Sequence, residues 1–175
     1  MSILKCVLSL LLTFVILIPI LTTSSSPGIV VIVSNSVDIE AARQLNKALL
    51  NRGISSFILR PDELWKMDYY QVDAMILLGG PKAYEGVGEI VASYLTDEEE
   101  ESLMEEGAMG FFVKVKDDRK VIILAGNTRK ETREAVTYFF ENVLRVLAVP
   151  ITEGMKANVI MVVVGTQPSS TPVGG

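Results

Sequence analysis

Short apolar runs alternate with amphipathic stretches along this chain, two of the runs end in glycine turns, and one pair is separated by only the five polar residues KDDRK. Together these features predict an α/β fold. The runs IVVIV (29–33), AMILL (74–78) and VIILA (121–125) have the β-branched content and length of strands buried on both faces, as in a sheet covered by helices. The order of the elements then predicts a three-layer, Rossmann-like arrangement: a mixed, mostly parallel sheet with one antiparallel hairpin.

After the first run, Ser34, Asn35 and Ser36 turn the chain. From Val37 to Arg52 the apolar positions Ala41, Leu45, Ala48 and Leu49 follow helical spacing, and Gly53 closes the helix. Phe57 to Arg60 reads as a second strand, which completes a β-α-β unit with parallel strands and a right-handed crossover. Pro61 to Tyr70 is a short helix or irregular segment whose Trp65, Tyr69 and Tyr70 are expected to cover the sheet.

Beyond AMILL and its Gly-Gly-Pro turn, Val87, Ile90, Val91, Tyr94 and Leu95 mark an amphipathic helix. Thr96 and Glu99 have capping-box spacing and open an acidic helix through Glu106, whose Asp97 to Glu101 run reads as a solvated face. Gly110 to Val115 and Val121 to Ala125 lie close enough in sequence for an antiparallel hairpin. A long helix is expected from Arg129 to about Val149, with Val136, Phe139, Phe140, Val143 and Leu147 on one stripe, a Thr128/Glu131 capping box and Pro150 beyond its end. The last run, VIMVVV at 159–164, either completes the sheet or offers an edge to a partner.

The organisation is therefore an N-terminal segment (1–26), one α/β domain (27–165) and a Ser/Thr/Pro/Gly-rich tail (166–175) expected to be disordered. In the first segment Lys5 precedes an apolar run from Cys6 to Leu21, and small polar residues follow, which is the pattern of a secretory signal. The alternative is an uncleaved membrane anchor. Sixteen helical residues span about 24 Å against a hydrocarbon core of about 30 Å, which favours cleavage. Either way the remainder is expected outside the cell or at its surface.

Composition removes several classes of function. The 175 residues include no histidine and one cysteine, so the commonest general base, the commonest zinc ligand and any metal-spaced cysteine pair are absent. No cofactor or metal is expected. A net charge of −5 opposes a phosphate-binding surface, which excludes nucleic acid as a partner and leaves membrane contact only to an uncleaved N-terminal segment. No Gly-x-Ser-x-Gly elbow, Walker loop, G-x-G-x-x-G fingerprint or EF-hand spacing is present. The residual catalytic reading is carboxylate chemistry alone, which needs two carboxyls facing one another at roughly 5–9.5 Å.

Candidate ligand contacts lie where strands end, because open α/β sheets meet ligands at their carboxyl edge. Ser34 and Asn35 follow the first strand, with Ser36 and Asp38 close behind, and helix capping is the competing account of all four. Gly79 and Gly80 permit close backbone approach, and Lys82 adds charge. Asn127, Thr128 and Arg129 open a helix whose N-terminus favours anions, although pairing of Arg129 with Glu131 or Glu134 would equally account for a cation there. If the two glycine-ended strands are parallel neighbours, Gly80 and Arg129 should share one rim.

The segments GGPKAYEGVGEIVASYL, GFFVKV and VIILAGNTRKETREAVTYFF resemble a module of archaeal surface-layer proteins, over about residues 74–140. The resemblance rests on a glycine-glycine-proline turn before a helix (Gly79, Gly80, Pro81) and an Ala-Gly-x-x-Arg-x-x-Thr turn opening a later one (Ala125, Gly126, Arg129, Thr132). It implies an exported, noncatalytic structural or adhesive role, with other cell-surface proteins or glycans as partners. Surface-layer proteins carry long additional regions that this chain lacks, so membership of a lattice does not follow. A weaker similarity, to noncatalytic accessory domains of glycoside hydrolases, implies proximity to carbohydrate. The alternative function is a small-ligand module, for a sugar or an anion, at the strand ends.

Overall fold

The computed structural model describes residues 28–151 and 161–166; the expected signal or anchor segment and residues 167–175 lie outside the described residues. Six strands form one sheet: β1 (Ile29–Ser34), β2 (Ser56–Leu59), β3 (Val72–Leu78), β4 (Ala108–Lys116), β5 (Arg119–Gly126) and β6 (Met161–Thr166). Their order is β2-β1-β3-β5-β4-β6. The β2-β1, β1-β3 and β3-β5 pairs are parallel, whereas β4 is antiparallel to both β5 and β6. The expected α/β fold with a mixed, mostly parallel sheet and a hairpin is thus observed. The last strand completes the sheet and runs to Thr166, one residue into the stretch assigned to the tail.

Because successive strand residues face opposite ways, each buried strand feeds two cores. On one face Ile32, Ile76, Phe111 and Ile122 pack beneath α1 (Ile39–Asn51), α4 (Arg129–Tyr138) and α5 (Phe140–Ala148), through Leu45, Leu49, Phe139 and Val143. On the other, Val31, Leu77, Phe112 and Ile123 meet a 3-10 helix (Pro61–Tyr69), α2 (Val87–Ala92) and the stretch after α3 (Asp97–Ser102), through Met67, Val87, Val91 and Leu103. Phe111 and Phe112, adjacent in sequence and both fully buried, supply one ring to each core.

Three local expectations are corrected. Trp65 and Tyr69 do not cover the sheet, being 59% and 75% exposed, whereas Tyr70, half exposed, packs on Phe57 of β2 with centroids 5.1 Å apart. A 3-10 helix has three residues per turn, so Leu64 and Met67 align on the inner stripe and Trp65 falls off it. Trp65 and Tyr69 instead pack edge to face, with centroids 5.9 Å apart. The acidic run after Thr96 is not wholly solvated, since Glu99 is buried and its carboxylate meets Lys114 Nζ at 2.7 Å while also accepting the Thr96 N–H of the capping box. That pair joins α3, which ends at Ser102 rather than Glu106, to β4.

The long helix from Arg129 is interrupted at Phe139, where φ is −95° and ψ is 8°. The hydrogen-bond ladder continues across the break, with Phe139 N–H to the Ala135 carbonyl at 2.9 Å and Val143 N–H to the Phe139 carbonyl at 3.0 Å. The Phe139 ring stacks on Phe111 at 5.5 Å, so the break falls where the helix meets the sheet.

Lys120 is the least expected member of the interior. It is the second residue of β5, is buried, and donates from Nζ to the carbonyls of Val146 (2.8 Å), Leu147 (3.3 Å) and Val149. These are carbonyls at the carboxyl end of α5, where helical partners have run out and a cation is favoured. Burial pulls the lysine pKa below its ordinary value, and the charge of Asp73 opposes that shift. Replacing this side chain with an apolar one of similar length should leave those carbonyls unmet. Lys120→Met is expected to destabilise the fold by about 3 kcal/mol, read as a lower urea midpoint at unchanged slope.

Candidate functional site

The carboxyl ends of β1, β3 and β5 are adjacent, so the turns that follow them meet in space. The chain leaves β1 toward the α1 face and leaves β3 toward the α2 face, and β1 and β3 are neighbours. Their carboxyl ends therefore form a topological switch point, where diverging connections leave a crevice. A cleft of about 320 Å³ occupies that place, within the range of small-molecule sites.

One wall comes from the β1 turn, through Asn35, Val37 and Asp38; a second from the β3 turn, residues 79–84; a third from the β5 turn and α4, through Gly126, Asn127, Thr128, Arg129 and Thr132; Leu103 and Met104 close a side. Of the candidate contacts, Asn35, Gly79, Gly80, Asn127, Thr128 and Arg129 line the cleft, and Gly80 and Arg129 share its rim as the parallel strands require. Ser34 does not line it. Its side chain is fully buried and donates to the Asn35 carbonyl at 3.1 Å.

The glycines bring the walls together. Gly79 has φ +132° and donates its N–H to the Leu124 carbonyl at 3.0 Å, so its amide is not free for an anion. A Cβ at Gly126 would stand 2.4 Å from both the Glu131 Cβ and the Thr132 nitrogen, which puts the β5 turn directly against the first turn of α4. Residues 36 and 85 tie the β1 and β3 turns at their rim: Ser36 N–H reaches Glu85 Oε2 at 2.8 Å, and the Ser36 hydroxyl donates to Oε1. These bonds hold the Glu85 carboxyl below its usual range, and Glu85 adopts a left-handed conformation (φ 57°) to make them.

The N-terminus of α4 is occupied by its own side chains. Thr128 N–H donates to Glu131 Oε2 at 2.9 Å, the Thr128 hydroxyl bonds the same oxygen, and Lys130 N–H reaches Thr128 Oγ1 at 3.2 Å. Burial raises the Glu131 pKa, but these hydrogen bonds outweigh it and the carboxyl lies below its ordinary range. The expected capping box is present, and its carboxylate stands where an anion would have bound. The Asn127 amide is likewise engaged, donating to the carbonyls of Met104 (3.3 Å) and Glu105 (3.1 Å).

Arg129 is not neutralised by the expected neighbours. Glu131 is held by Thr128, and Glu134 lies 3.8 Å from Lys130. The charge of Arg129, with that of Arg133, falls instead on Asp38. Asp38 occupies the N-cap position of α1, yet its side chain makes no capping bond. Its N–H donates to Asn35 Oδ1 at 2.7 Å, it is 6% exposed, and its Oδ1 has no hydrogen-bond partner among the described residues. Burial pushes its carboxyl above the ordinary aspartate range, against the opposing pull of Asn35, Arg129 and Arg133.

Asp38 is thus the unusual group of the cleft, and sequence reasoning placed it among helix caps. A cap and a withheld carboxylate have the same sequence signature; only the side-chain torsion separates them. Asp38 is also the one carboxylate lining the cleft among the described residues, so the facing pair needed for carboxylate-only chemistry is not assembled there. Among the described residues no group of three or more His, Cys, Asp or Glu could hold a metal ion, and no helix is long and apolar enough to cross a membrane. No protein-family model matches the chain, and no curated protein matches it.

Two substitutions test this geometry. Gly126→Ala should force the β5 turn away from α4 and lower stability by about 1–3 kcal/mol in urea unfolding. Asp38→Asn should have the opposite effect at neutral pH. A folded-state pKa above the unfolded value means that stability is fully present below the unfolded pKa and lost as pH rises through the folded one. The variant escapes that loss, so its advantage over the parent should grow as pH rises from below the ordinary aspartate value of 3.8 toward neutrality, read as a rising difference in urea midpoint.

Proposed function

We propose that the chain is a noncatalytic binding module that receives a small polar molecule in the cleft at the carboxyl edge of β1, β3 and β5. The observation that carries this reading is the convergence of the three strand-end turns on one cleft at a switch point, with Asp38 buried in its wall and incompletely paired. A protein selected only to fold would gain stability from an apolar or amide side chain there. A carboxylate in that position favours a role in contact with something else.

The absence of histidine and of a second carboxylate in the cleft wall supports binding without turnover. The signal-like N-terminus supports export to the cell surface, and the Gly79-Gly80-Pro81 and Ala125-Gly126 turns support kinship with surface-layer modules. In that reading the motif glycines serve the architecture, since a Cβ at Gly80 would lie 3.0 Å from the Gly126 carbonyl oxygen. They hold two turns together, and the side chains around them do the binding.

A thermal-shift screen of residues 27–175 against sugars, inorganic phosphate, amines and divalent ions tests the proposal. A ligand present at a hundred times its dissociation constant should add about 2.7 kcal/mol of stability. No stabilisation by any of them at millimolar concentration would overturn it.

A further inference from the structure

The charges and hydrogen bonds around the cleft narrow its ligand beyond a small polar molecule. An anion is disfavoured, because the Thr128 amide is taken by Glu131, the Lys130 amide by the Thr128 hydroxyl oxygen and the Gly79 amide by Leu124, and a buried carboxylate lines the space. A free ammonium is disfavoured too, because Arg129 and Lys82 stand in the wall and Arg133 acts on the same carboxylate. What the wall lacks is a partner for Asp38 Oδ1, and what it offers beside Asp38 are cationic donors, Arg129 and Lys82. A hydroxyl satisfies both, since it donates to a carboxylate while accepting from a guanidinium or ammonium.

We propose that the cleft binds a neutral pyranose, with Asp38 accepting from its hydroxyls and Tyr84 covering its apolar ring face. The two roles are separable in the structure. Asp38 is nine-tenths buried beside Gly79, where its Oδ2 would lie 3.8 Å from an added Cβ. Tyr84 lines the same cleft from the β3 turn and is 71% exposed, a large ring left in water at the edge of the cavity. An aromatic side chain in one cleft with hydroxyl acceptors and donors supplies a partner for each surface of a sugar ring, its C–H face and its O–H edge. The volume of about 320 Å³ suits one or two rings. This inference rests on the reading that the cleft is a ligand site.

The test is calorimetric titration of residues 27–175 with the methyl glycosides of glucose, mannose, galactose and N-acetylglucosamine, and with inorganic phosphate, putrescine and adenosine in parallel. At least one glycoside should bind, and the other three probes should not. Asp38→Asn should weaken that binding at least tenfold although the variant is the more stable protein, a combination that loss of fold cannot produce. Tyr84→Ala, at an exposed position, should weaken it at least threefold without moving the melting temperature.

Binding of phosphate, putrescine or adenosine with no response to any glycoside would overturn the pyranose and leave the ligand site standing. Silence from every probe would remove both. Glycoside binding that survives Asp38→Asn and Tyr84→Ala unchanged would place the sugar elsewhere and overturn the proposal.

Discussion

One hydrogen bond sets the geometry on which the functional edge depends: the Gly79 N–H donates to the Leu124 carbonyl at 3.0 Å. It extends the β3-β5 parallel register, in which Leu78 stands against Leu124, by one residue past the end of β3. β5 continues two residues beyond Leu124, to Gly126, so the Gly79-Gly80 turn lies alongside the end of β5. Glycine is needed at 79 because the bond is made at φ +132°, a conformation in which a side chain would be strained and would meet the Ala83 Cβ at 2.8 Å. That hydrogen bond sets the β3 turn against the β5 turn, and the β1 turn beside them completes the common space.

Stability and binding pull in opposite directions at Asp38. Most polar groups near the cleft are already paired inside the protein: Thr128 with Glu131, Asn127 with two carbonyls, Ser36 with Glu85, Ser34 with the backbone. Those bonds stiffen the walls and withdraw the groups from service. Asp38 is buried with an oxygen unmatched, held in place by two nearby arginine charges that reach it without forming an ion pair. The same environment that destabilises its charge also fixes it, because a side chain buried between packed elements has little freedom left to lose on binding.

Periodicity made the larger elements legible in the sequence. The β-branched runs, the capping boxes at Thr96/Glu99 and Thr128/Glu131 and the short KDDRK connection each express a local rule, and the structure follows them. The departures are nonlocal. Trp65 is turned outward by a 3-10 repeat that its neighbours do not advertise, and Glu99 is buried by Lys114, fifteen residues away. Lys120 is buried by carbonyls of a helix that begins after it in the chain. At the cleft, the glycine turns were readable as positions, but the state of Asp38 depends on arginines from another helix, and no spacing rule encodes that.

Gly126 gives the cleft an asymmetry of adaptability. Its Cα lies so close to Glu131 and Thr132 that no larger residue fits, and Gly80 is pressed against the Gly126 carbonyl in turn. The floor of the cavity is made of backbone and is closed to variation. Lys82 and Tyr84, on the opposite turn, are exposed, and their side chains do not hold up either core. Such a frame can retain its fold while changing what it recognises, because the part that fixes shape and the part that meets a ligand are carried by different atoms.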